Sequence, residues 1–289
     1  MDVMTRIERS LQTALNRTGQ PGCPPRLGQA MRHAVFPRGA RIRPRLCLAV
    51  AAACGEDAPA VADAAASAIE LLHCASLIHD DLPCFDDAAT RRGRPSVHRA
   101  FGEPLAVLAG DALIVLAFQT LAHGASAAPA RLGPLMLTIG HAVGVPCGIV
   151  AGQAWECEES ADLAEYQREK TGALFAAATV AGAAATGAEA EPWRAVGACL
   201  GEAYQVADDI LDATANPAAI GKPVGQDLAH QRPSAVLELG LDGAIDRLRG
   251  LAEAAVDAVP ACGGQSALRS HILTETLRLL PQELARTAA

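Results

Sequence analysis

Segments of helical length and helical hydrophobic period fill the chain between short clusters of breaker residues. The breakers are RTGQPGCPPRLG at 17–28, CGED at 54–57, RGRPS at 92–96, HGASAAPA at 123–130, TANPAAIGKPVG at 214–225 and ACGGQS at 261–266. They delimit about ten helices. No repeat and no long Ser/Gly/Pro linker divides the sequence, so one large all-α domain over 1–289 is expected.

Two predicted helices carry unusual polar stripes. In AIELLHCASLIHDDLP, His73, Ser76, Leu77 and Asp80 share one face at 100° per residue. Pro83 disfavours helix through residue 82, so the helix closes on Asp80 and Asp81, and Asp86 and Asp87 follow from a short loop. In YQVADDILDATA, Gln205, Asp208, Asp209 and Asp212 form one stripe while Val206, Ile210 and Leu211 point elsewhere. A third segment, 132–155, has no formal charge over its whole length and carries Gly140, Gly144, Gly148 and Gly152 at i+4 spacing, a groove for close helix packing. Its length could span a bilayer, but Pro134, Pro146, His141 and Gln153 favour a buried, kinked core helix and no stable membrane span.

Composition sharpens this picture. The chain is 51% hydrophobic and only 3% aromatic, rich in alanine, the best helix former. A net charge of −8 without a basic block argues against nucleic-acid partners. Nine cysteines without CxxC or zinc-type spacing fit a reduced, cytoplasmic setting, and the charged N-terminal stretch lacks a secretory h-region.

The aspartates need an explanation. Asp80 and Asp81 sit at the negative end of a helix dipole. Two carboxylates ~4 Å apart at an effective dielectric of ~20 repel by about 4 kcal/mol. Hard cations offset that cost: Mg²⁺ takes one or two carboxylates and completes its shell with phosphate oxygens and water. Two opposed Asp clusters can therefore bridge several Mg²⁺ ions onto a diphosphate.

At this point the sequence resembles the short-chain trans polyprenyl (isoprenyl) diphosphate synthases. DDLPCFDDAATRRG matches their first motif with the longer bacterial spacing, and QVADDILD matches the second. RGARIRP (38–44), AGDALIVLAF (109–118), KTGALF (170–175) and GKPVGQD (221–227) follow in family order. HCASLIHDDLP and AGQAWE are most similar to bacterial members that make geranylgeranyl diphosphate for carotenoids and bacteriochlorophyll.

The resemblance implies head-to-tail condensation of isopentenyl diphosphate with an allylic diphosphate, in a homodimer. Asp80 and Asp86, with Asp81 nearby, and Asp208 and Asp212, beside Asp209, would face each other and hold three Mg²⁺ ions. Arg91, Lys170, Thr171, Gln205 and Lys222 would line the allylic diphosphate site. Arg43, His73 and Arg92 match positions for isopentenyl diphosphate. Ala40 stands where the family usually has lysine, leaving Arg41 or Arg38 to substitute, and Arg232 stands near a later lysine. His79, His98 and ECEE at 156–159 read as structural, the last as a solvated turn. Ala75 and Ser76, small residues one turn before Asp80, would leave a prenyl tunnel open to a C20 product. Alternatives are a farnesyl diphosphate synthase and a silent partner subunit; an intact second DDxxD argues against a terpene cyclase.

Overall fold

The computed structural model describes residues 2–36, 39–158, 168–214 and 234–279. Among them are twelve α-helices and a two-stranded hairpin, so the all-α expectation holds. The chain forms two compact units: residues 1–52, 56–139 and 181–188, and residues 53–55, 140–180 and 189–289.

In the first unit, α1 (Val3–Leu15) starts at Asp2, whose carboxylate accepts from the Thr5 amide at 3.2 Å. Helices α2 (Pro25–Val35), α3 (Ile42–Ala53) and α4 (Pro59–Asp80) follow. Proline at the first turn of α2 and α4 loses no hydrogen bond there. α4 is the core element. Val61, Ala65, Ile69, Leu72 and Ala75 are all buried, and its alanines lose no rotamer freedom on burial. It packs against α6 (Glu103–Gly124). Between them lie strands β1 (Thr90–Arg91) and β2 (Arg94–Pro95) and the short α5 (Val97–Phe101).

The uncharged segment departs from expectation. It is not one buried, kinked helix but two, α7 (Leu132–Val143) and α8 (Ile149–Trp155). Pro146 has no N–H to continue the ladder, and Gly148 sits at φ 112°. Nor do its glycines make one groove: a Cβ on Gly140 would meet nothing within 4 Å, whereas one on Gly152 would lie 2.6 Å from the Lys170 amide. α7 also exposes Leu137 at 67%. Among the described residues, the helices long and apolar enough to cross a bilayer are instead α4, mostly buried, and the stretch Glu103–Ala127, 39% buried.

The second unit continues through α8, a π-helical turn at Arg168–Gly172, α9 (Ala173–Ala184, its last turn in the first unit), α10 (Arg194–Thr214), α11 (Ala235–Asp257) and α12 (Gln265–Leu277). Val206 and Ile210 of α10 bury against Ile245, Leu248 and Leu251 of α11, as their spacing predicts. The Ser234 hydroxyl caps α11, accepting from the Leu237 amide at 3.3 Å.

Candidate active site

In the first unit the acidic loop is wound back on its helix. α4 stops at Asp80, and the Asp86 amide then donates to the Asp80 carbonyl at 3.0 Å. Asp80 and Asp86 are thereby brought together from opposite ends of the motif. Asp80 is half-buried and Asp86 exposed. Asp81 is different. It is buried, and its Oδ1 accepts from Arg91 Nε at 2.9 Å and from Arg91 Nη2. Asp87 ties the loop to α5: Arg99 Nη2 donates to it at 2.9 Å and His98 Nε2 lies 3.5 Å away.

The RRG that follows is the hairpin turn itself. Thr90 pairs with Pro95 and Arg91 with Arg94, and the two loop residues, Arg92 and Gly93, both have positive φ, 53° and 73°. Positive φ at both centres is the two-residue turn that matches strand twist. The hairpin is pinned to α2 through His33 Nε2 and the Pro95 carbonyl, 2.8 Å apart. Arg91 and Arg92 thus leave consecutive positions of a rigid turn, the last strand residue and the first loop residue.

Around His73 the expected isopentenyl residues gather. Burial first, then the positive fields of Arg43, Arg92, Arg91 and Arg41, holds the His73 pKa well below its ordinary value. The imidazole is neutral at physiological pH. Arg41 does not replace the missing lysine: its side chain is fully buried, donating to Glu8 at 2.9 Å, Glu70 at 2.6 Å and the Val35 carbonyl at 2.8 Å. Arg38, Lys222 and Arg232 lie outside the described residues.

In the second unit the π-turn presents Lys170 and Thr171, a helix irregularity frequent at functional sites. Lys170 Nζ donates to Glu156 Oε1 at 2.6 Å, and Gln153 Nε2 to Glu156 Oε2 at 2.6 Å. Thr171 Oγ1 donates to Gln205 Oε1 at 3.4 Å, and Gln205 Nε2 to Asp209 Oδ1 at 3.0 Å. The Ala235 amide completes the chain at Asp209 Oδ2, 2.8 Å away. Thr171, Gln205 and Asp209 therefore form one chain of hydrogen bonds, and the neighbouring Lys170 forms a second with Glu156 and Gln153. Glu156, read from sequence as part of a solvated turn, is exposed in a turn and is also the partner of Lys170.

The two acidic motifs share one design. Each buries the second aspartate of its Asp-Asp step against protein donors, while Asp80, Asp208 and Asp212 are half-buried and Asp86 is exposed. Burial pushes Asp81 above the usual carboxylate range while the Arg91 guanidinium pulls it down. Burial likewise raises Asp209 against the Ala235 amide and Gln205, with Asp208 and Asp212 adding repulsion. Asp208 and Asp212 stay half-buried on one face of α10. Asp209 leaves the continuous stripe that spacing suggests.

In each unit the motif's pair, Asp80 with Asp86 in the first and Asp208 with Asp212 in the second, offers oxygen donors alone, the ligand type of Mg²⁺ rather than zinc or copper. Among the described residues no three His, Cys, Asp or Glu side chains form a metal cage. This donor set fits an ion held through one or two carboxylates and a substrate phosphate.

Comparison with known proteins completes the picture. Residues 24–258 match the polyprenyl synthetase family model. The geranylgeranyl diphosphate synthase of Cereibacter sphaeroides is 50% identical over 280 residues, covering 97% of each chain, and that of Rhodobacter capsulatus is 50% identical over 272 residues, covering 94% of each. A Helicobacter pylori geranyltransferase, solved with magnesium and isoprenyl diphosphate, superposes at a TM-score of 0.78 with 27% identity, over 96% of this chain and 98% of that one. The chain belongs to the polyprenyl synthetase family. It is a prenyltransferase that condenses isoprenoid diphosphates.

Proposed function

We propose that this chain is a geranylgeranyl diphosphate synthase, joining isopentenyl diphosphate to farnesyl diphosphate or a shorter allylic primer. The observation that carries the reading is the shared burial pattern of the motifs, with Asp81 and Asp209 buried against protein donors while Asp80, Asp208 and Asp212 are half-buried and Asp86 is exposed. Mg²⁺ on those four, three ions per diphosphate, would neutralise charge developing on the leaving diphosphate. The Helicobacter pylori protein, bound to magnesium and isoprenyl diphosphate, supports this.

Arg91, Lys170, Thr171, Gln205 and Lys222 bind the allylic diphosphate, and Arg43, His73 and Arg92 bind isopentenyl diphosphate. The neutral imidazole serves as a hydrogen-bonding group, leaving the charge to the arginines. Ionisation of the allylic C–O bond leaves a cation, and the isopentenyl double bond attacks it to form the new C–C bond. The departing pyrophosphate takes the proton that restores the alkene. No covalent enzyme intermediate is needed.

The small Ser76 beside Asp80 supports a C20 product. The bare apolar face of α6, with Val107, Leu108 and Val115 42–56% exposed, supports a homodimer. Nine free cysteines support a cytoplasmic setting. The test is incubation with isopentenyl diphosphate, each allylic primer and Mg²⁺, then sizing of the dephosphorylated alcohols. Geranylgeraniol is expected; farnesol as the end product, or no elongation, overturns the reading.

A further inference from the structure

Arg92 lies in a seat whose two walls are unassigned. On one side is Gly39, where an added Cβ would stand 2.7 Å from the Arg92 Cζ and Nη2 and 2.9 Å from Nε. On the other is Glu70, 2% exposed, whose Oε1 lies 4.0 Å from Arg92 Nη2. The same oxygen accepts from buried Arg41 at 2.6 Å, and Arg41 also donates to Glu8 at 2.9 Å. Two carboxylates therefore balance two guanidiniums, which makes the buried charge tolerable. The Arg92 backbone is fixed by the hairpin turn at φ 53°. Its Nη1 is buried and makes no hydrogen bond among the described residues. A donor held in place without a partner is prepared for an outside acceptor, and prior immobilisation of a long side chain lowers the entropy cost of binding.

We infer that Gly39 and Glu70 are positioning residues that seat Arg92 for isopentenyl diphosphate. This rests on the proposed role of Arg92. Gly39→Ala tests it without touching the buried ion pairs, because the atoms a methyl group meets are the far end of a flexible side chain. The KM and calorimetric Kd for isopentenyl diphosphate are expected to rise about tenfold. KM for the allylic substrate, kcat and thermal stability should stay within twofold or a degree or two. Glu70→Gln should move the same constant, and Glu70→Asp should recover part of it. If Glu70→Gln does not fold, Gly39→Ala decides alone. An unchanged isopentenyl constant in Gly39→Ala, or a parallel rise for both substrates, overturns the seat. A native enzyme that fails to elongate any primer overturns the proposed function instead, so the two failures are distinct.

Discussion

Asp208 and Asp209 are neighbours with opposite fates, and charge-neutral substitutions separate them. Asn at 209 offers one acceptor where the Ala235 amide and Gln205 now use two oxygens. Stranding a buried donor costs about 1–2 kcal/mol, roughly 3–6 °C in a chain of this size. Asp208→Asn leaves the Asp209 cap on the Ala235 amide in place. It is expected to lower kcat a hundredfold or more, ~3 kcal/mol of barrier, while leaving Tm unchanged. Thermal melts and steady-state kinetics on both variants check this; a destabilised Asp208→Asn would contradict the division of labour. A second residue-scale prediction concerns product length. Four positions before Asp80, Ser76 stands about 40° from it on the helix and is half-buried, whereas Ala75 stands about 140° away and is 1% exposed. Ser76→Phe should shift products toward C15 with the fold intact. Ala75→Phe should cost about 1–3 kcal/mol of overpacking besides any effect on length. Chromatography of the alcohols, with melts alongside, distinguishes the two.

At the scale of elements, the glycines of the uncharged segment show what sequence can and cannot convey. Their i+4 spacing suggests one packing groove, yet only some of them touch anything. Gly152→Ala would drive a methyl group into the Lys170 backbone, so the π-turn must move; KM for the allylic substrate should rise about tenfold. Gly140→Ala has open space and should be silent or stabilising by up to ~1 kcal/mol. Equal effects at both sites would show that the stripe acts as a unit. Helical period correctly gave α4 and α10, because both bury an apolar face against a neighbour. It also gave the apolar side of α10, where Val206 and Ile210 are buried. It could not show that Asp209 turns inward, since the Ala235 amide it caps lies 26 residues away. Nor could it show that Arg41 is consumed by Glu8 and Glu70, or that Glu156 holds Lys170. Those are long-range pairings, and periodicity carries only local information. The RRG hairpin was legible as a motif but not as a turn, since positive φ at an arginine has no local composition cue.

At the scale of the whole molecule, a chain with net charge −8 carries two acidic motifs, one in each compact unit. The proposed reaction asks both to act on one diphosphate. Among the described residues no three-ligand cage holds an ion by itself, so Mg²⁺ alone should bind weakly. Inorganic pyrophosphate alone meets the repulsion of unneutralised carboxylates and should bind weakly too. Together each supplies what the other lacks. A ligand at a hundred times its Kd stabilises by about 2.7 kcal/mol, so the pair should raise Tm by roughly 5–10 °C where either component alone gives about a degree. Chelator without pyrophosphate should leave Tm and the helical circular dichroism unchanged. The decisive arm uses Asp80→Asn and Asp208→Asn, one from each motif. If both motifs serve the same diphosphate, either substitution alone should remove most of the joint shift. Retention of the full shift in one of them would mean that its motif does not share the ligand, and the two-motif reaction would have to be abandoned.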